Sequence, residues 1–128
     1  MSVERFDRAK HLPMMREWCE ARGTPLPWDA SDFYPPTGFV ARDCAASFLF
    51  LTESCVGYID GTVADPRVDS HQRSMALDEV LAAILEEAKA RSLKALVTYT
   101  AAPTLIAKVP KFGARIQGEG ITYIAWRF

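Results

Sequence analysis

Residues 62–100, TVADPRVDSHQRSMALDEVLAAILEEAKARSLKALVTYT, decide the fold. Within them, 73–92 carry the clearest helix pattern in the chain. Leu77, Val80, Leu81, Ile84, Leu85 and Ala88 recur at three- and four-residue spacing, opposite Asp78, Glu79, Glu86, Glu87 and Lys89. An apolar stripe of that length has to be buried against another layer. Strand-forming residues stand on both sides of it, CVGYIDGTVA at 55–64 and KALVTYT at 94–100, the second reading as a buried strand. Strand, long helix and strand in this order predict a crossover unit.

Upstream, GFVARD (38–43) and AASFLFLTE (45–53) precede 55–64 with steps short enough for hairpins, which predicts an antiparallel meander. Residues 2–6 read as a short first strand. Pro13 is placed in the first turn of a helix that runs through MMREWCEAR and stops at Gly23, with Met15, Trp18, Cys19 and Arg22 as its seam. Residues 24–38 hold four of the eight prolines and predict an ordered, irregular loop whose Trp28, Phe33 and Tyr34 clamp onto the core. Downstream, 103–112 read as a short helix ending near Pro110, and 114–128 as a strand or hairpin. The expected architecture is α/β with a mixed sheet: a single domain over 1–128, six to seven strands, an antiparallel N-terminal meander followed by a β-α-β crossover, and the long helix on one face.

Composition narrows the function. At 128 residues the chain can bury one substantial core, and 15 Lys+Arg against 16 Asp+Glu leave a net charge of −1. No field of one sign exists to attract nucleic acid or an acidic membrane. No segment approaches the roughly 20 apolar residues of a membrane-spanning helix, and the N-terminus lacks a signal-peptide pattern, so a cytoplasmic location is expected. Cys19, Cys44 and Cys55 have no CxxC pairing and predict reduced core thiols, with no metal site. His11 and His71, the two histidines, are expected at the surface or in helix caps.

The order of elements, with TVADP (62–66) followed by QRSMALDEVLAAILEEAKARSLKALVTYT (72–100) and KFGA (111–114), resembles the GNAT superfamily of acyl-CoA-dependent N-acetyltransferases over nearly the whole chain. The stretch LPWDASDFYPPTGFVARD before FLFLT also resembles small GNAT-like proteins of tailed bacteriophages. The resemblance implies acetyl-CoA as cofactor and a small-molecule or protein amine as acceptor. It further implies that the pantetheine arm lies along the backbone of Thr62, Val63 and Ala64. The family's Arg/Gln-x-x-Gly-x-Gly/Ala phosphate loop falls on Gln72, Arg73, Ser74, Met75, Ala76 and Leu77.

In that register Gln72 takes the leading position, and Met75 and Leu77 take the two glycine positions. Shifted by one, Ser74 and Ala76 stand at the small positions and His71 leads. Arg73 offers a phosphate-facing guanidinium in either register. Read only as a helix start, the same residues predict Ser70 or Ser74 as the N-cap. The family's catalytic tyrosine position falls on Val109. Asp60 and Glu53 are the candidate bases, Tyr99 or water the substitute acid, and no catalytic residue is assigned. Two functions follow: an N-acetyltransferase with a degenerate pyrophosphate loop, or a catalytically inactive GNAT-fold interaction protein such as a phage accessory or virion component, located in host cytoplasm or virion.

Overall fold

The computed structural model describes residues 3–24, 26, 33–100 and 103–114. The chain divides into two compact units, 1–97 and 98–128. Five strands occur among the described residues, β1 (Val3–Arg5), β2 (Gly38–Ala41), β3 (Ala45–Leu51), β4 (Val56–Ala64) and β5 (Ala95–Thr98), in the sheet order β1-β2-β3-β4-β5. Helix α1 (Arg8–Arg22) follows β1, and α2 (Ser70–Ala90) links β4 to β5. The count is five where six to seven were expected; the strand or hairpin anticipated at 114–128 lies, apart from Ala114, outside the described residues, as does Trp28.

Strands β1 to β4 form the antiparallel meander. Arg42 and Asp43, at φ 53 and 50, turn β2 into β3, with Cys44 N donating to Ala41 O at 3.0 Å. The register pairs Ala41 with Ala45, so three residues, 42–44, make the connection, and the positive φ at Arg42 and Asp43 closes it tightly. Along β4 the register with β3 skips a residue between Ala46↔Val63 and Phe48↔Asp60, a bulge at Gly61, whose φ is +68. Strand β5 meets β4 at its start, where Lys94 N donates to Cys55 O at 2.8 Å. Its contact with β4 is far slighter than that of β3. Its residues are half-buried or exposed rather than buried as anticipated, Leu96 alone of them packing against the α2-side core.

Alternation along the strands makes two cores. Phe39, Ala41, Ala45 and Leu49 face α2, which contributes Ala76, Val80 and Ile84 at four-residue spacing. Val40, Ala46 and Phe48 face α1, which contributes Leu12, Met15 and Trp18. Each large side chain so buried contributes about 1.5–3 kcal/mol. Of the expected α2 stripe, Val80, Ile84 and Ala88 are fully buried and Leu77 packs against the core partly covered. The ring of Phe48 enters a slot between two glycines: a Cβ on its register partner Gly38 would overlap the ring, and one on Gly61 would stand 3.1 Å from it. The edge strand is tied to α2 by a two-pronged pair, Arg5 Nη1 and Nη2 to the Glu87 carboxylate at 3.0 and 3.1 Å.

Helix α1 starts five residues before Pro13, so the proline lies inside it rather than in its first turn. The reason is the cap. Asp7 Oδ1 accepts from Ala9 N at 3.0 Å and Lys10 N at 3.4 Å, and His11 Nδ1 accepts from Asp7 N at 2.8 Å. Together they satisfy donors that Pro13 could not. The helix ends at Gly23, φ 80, as expected. In the second unit, α3 (Pro103–Ile106) continues as turns to Gly113. No helix among the described residues is long and apolar enough to cross a membrane.

Candidate functional site

The informative corner is where β4 ends and α2 begins. Residues 65–69 make this turn without a glycine, and none of 62–77 has a positive φ. Side chains hold it instead. Asp65 Oδ1 accepts from Arg67 N at 3.0 Å and Arg67 Nε at 2.8 Å, while Oδ2 takes Arg67 Nη2 at 3.1 Å. This pairing with Arg67 holds the Asp65 carboxyl below its ordinary range. Asp65 N donates to Cys44 O at 2.7 Å, which fastens the turn to the neighbouring hairpin.

Arg73, in the first turn of α2, reaches back over the same residues and donates to Pro66 O at 3.1 Å and Val68 O at 2.7 Å. Both acceptors are neutral carbonyls. Arg22, from the end of α1, likewise donates to Ala64 O at 2.8 Å. Arg42, from the β2–β3 turn, donates to Gln72 Oε1 at 2.8 Å and to Glu79 Oε1 at 2.7 Å. The N-cap of α2 is Asp69, whose Oδ1 accepts from Gln72 N at 3.0 Å, and not Ser70 or Ser74. A carboxylate accepts that backbone bond more strongly than a hydroxyl and complements the positive helix end.

The residues matched to the phosphate loop therefore separate. Gln72, Arg73 and Ser74 are half-buried near the helix start. Met75, Ala76 and Leu77 fall in the second turn, where backbone N–H groups are committed to intrahelical bonds. Ala76 is fully buried against Ala45, Leu49 and their neighbours in the core, while Met75 and Leu77 are half-buried. On β4, Thr62 exchanges a hydroxyl hydrogen bond with Ser47 at 2.7 Å, Val63 packs on the α1-side core, and Ala64 is 7% exposed.

Asp60 is exposed at the bulge, opposite Phe48, and Gly61 N donates to its Oδ1 at 2.7 Å. Glu53 is exposed in the β3–β4 turn, at the end of β4 away from the corner. In the second unit Val109 is half-buried and Tyr99 is exposed. Cys19 and Cys44 are buried, and burial pushes both thiols up; Cys55 is exposed, since it lies in the β3–β4 turn rather than the core. His11 is a cap, as expected, but is fully buried rather than at the surface. Its Nδ1 is an acceptor, so Nε2 carries the proton of the neutral ring and presents an N–H, not a lone pair, to Glu4 Oε1 at 3.6 Å. That tautomer opposes metal ligation although Glu4, His11 and Asp43 lie together.

Sequence reasoning did not find the convergence of Arg22, Arg42 and Arg73. The first two stand 42 and 30 residues from their partners, and no local pattern connects them. The Asp7 to His11 spacing, a cap residue followed four later by a histidine, was the available signal for the α1 start.

No family model matches the chain, and no curated protein matches it. Solved structures do. A Thermus thermophilus protein superposes with a TM-score of 0.69 at 14% identity, over 100% of this chain and 97% of that one. A Mycobacterium tuberculosis protein solved in complex with CoA gives 0.69 at 18% identity, over 94% and 75%. A Trypanosoma brucei acetyltransferase gives 0.68 at 12% identity, over 96% and 98%. The chain thus shares its mixed α/β fold with structures that include solved acetyltransferases, the GNAT fold.

Proposed function

We propose that this protein is an acyl-CoA-dependent N-acyltransferase whose coenzyme phosphates are received by a glycine-free corner bearing arginine. The observation that carries the reading is Arg73. It stands in the first turn of a 21-residue helix, at the positive end of the dipole, and its guanidinium is held over the turn by two carbonyl oxygens. Its hydrogen-bond acceptors are neutral carbonyls, and the Asp65 carboxylate that also feels its charge is already paired with Arg67, which leaves the guanidinium suited to a phosphate. Gln72 and Ser74 flank it in sequence, while Met75, Ala76 and Leu77 lie a turn further into the helix, Ala76 within the core. The backbone of Thr62, Val63 and Ala64 takes the pantetheine arm; the slight contact of β5 with β4 supports a slot there.

Acetyl-CoA, when bound, supplies the activated acyl group; an amine accepts it as the C–S bond breaks, and water protonates the departing thiolate. Asp60, exposed at the bulge, takes the proton that the amine loses. Glu53, at the other end of the hairpin, is less suited.

Thermal melting with and without about 1 mM acetyl-CoA tests the reading. A ligand at 100 times its Kd adds about 2.7 kcal/mol, a rise of roughly 10 °C for a chain of this size. An unchanged melting temperature refutes the reading and leaves the alternative, a GNAT-fold interaction protein with no coenzyme.

A further inference from the structure

Three phenylalanine rings, Phe6, Phe33 and Phe48, surround Tyr34 on the α1 side of the sheet, with centroids at 6.2, 5.0 and 4.5 Å. Tyr34 is 2% exposed, and its backbone is pinned by Arg8 Nη2 donating to Tyr34 O at 2.6 Å. Its hydroxyl is buried and has no hydrogen-bond partner among the described residues. A buried donor left unmade is destabilising, and phenylalanine would fill the same space without that cost. Burial also pushes the phenol well up, with Cys19 and Asp60 adding to it, so the hydroxyl keeps its proton.

The position of this group is specific. The ring edge lies against the β4 bulge, where a Cβ on Gly61 would stand 2.9 Å from Tyr34 Cε1. On the proposed reading, phosphates sit at the α2 start and the arm runs back along β4 from Ala64 to Thr62. Four residues of strand, about 13 Å, separate Ala64 from Asp60. The acyl end of the coenzyme then arrives at Asp60 and Gly61, beside Tyr34.

We propose that the Tyr34 hydroxyl is a hydrogen-bond donor to the thioester oxygen of the acyl coenzyme, the atom that gains charge as an amine attacks the carbonyl carbon. This inference rests on the acyl-CoA reading above. It gives an unpartnered buried donor its acceptor only in the complex, an arrangement suited to stabilising developing negative charge.

Tyr34→Phe tests it, with melting of the ligand-free protein and titration of acetyl-CoA and of ADP as a probe of the phosphate contacts alone. The expected result is an unchanged or higher melting temperature without ligand, acetyl-CoA affinity weaker by about tenfold, and ADP affinity unchanged. A lower melting temperature without ligand shows that the hydroxyl serves the empty fold and overturns the proposal. Equal acetyl-CoA affinity in both proteins, or a parallel loss for ADP, overturns it too while leaving the acyl-CoA reading intact. If acetyl-CoA does not bind the wild type, that reading falls and this one with it.

Discussion

Asp69 holds two opposed roles at one position, and replacing it in two ways separates them. Its carboxylate caps α2 through Gln72 N at 3.0 Å, and α2 supplies Ala76, Val80, Ile84 and Ala88 to the core. Asp69→Ala removes the cap and should cost about 1 kcal/mol, lowering the melting temperature by roughly 4 °C. Asp69→Ser keeps an acceptor for Gln72 N and removes only the charge, so its cost is a few tenths of a kcal/mol. The same charge stands at the helix end where phosphates are proposed to bind. A charge near a helix terminus is worth about 0.3–1 kcal/mol, so Asp69→Ser should bind acetyl-CoA about two- to fivefold more tightly than the wild type. Differential melting and calorimetric titration read both effects. If Asp69→Ala melts with the wild type, the cap contributes nothing and the account of the helix start is wrong. If Asp69→Ser binds acetyl-CoA no more tightly, the phosphates do not approach this helix end.

Gly61 and Gly23 share a left-handed backbone but differ in surroundings, so their alanine variants should differ in cost. Gly23→Ala meets nothing within 4 Å and should lose about 1 kcal/mol, whereas Gly61→Ala adds a Cβ 2.9 Å from Tyr34 and 3.1 Å from Phe48 and should lose about 3 kcal/mol by denaturant titration. Equal losses would show that the bulge does not need the missing side chain. The Asp65 carboxyl, lowered below 3.8 by Arg67, contributes stability that is present above the unfolded value and is lost as pH falls through the lower folded value. Asp65→Asn should therefore be less stable than the wild type at pH 6, and the gap should close as pH falls through the lowered folded-state value of Asp65; a gap that stays constant with pH would show that the ion pair is not its source.

How far the sequence could be read depended on the range of the interaction involved. The meander, the crossover helix and the stop at Gly23 follow from periodicity, turn length and a left-handed backbone, all of which act within a few residues. The start of α1 is misread from sequence because Pro13 is a conspicuous local signal, whereas the reciprocal cap between Asp7 and His11 is a quiet one. The start of α2 differs for a related reason. Serine and aspartate both cap helices, and the choice falls to Asp69 because its side chain reaches Gln72 N while Arg73 reaches back over the turn.

The missing glycines of residues 62–77 are better explained by the structure than by the pattern they depart from. A glycine loop at a helix start lets backbone N–H groups come close to an anion by adopting conformations that other residues avoid. Here no residue of the corner needs such a conformation, because Asp65 closes the turn on Arg67 and Arg73 clamps Pro66 and Val68. The rigidity that glycine-rich loops obtain from a bound phosphate is built in beforehand by side chains. The bulk of Met75 and Leu77 then obstructs little, since both lie a turn inside the helix and away from its N–H end. On the proposed reading, anion binding at this corner turns on the Arg73 guanidinium against the carboxylates of Asp65, which feels its charge, and of Asp69, which caps the same helix end.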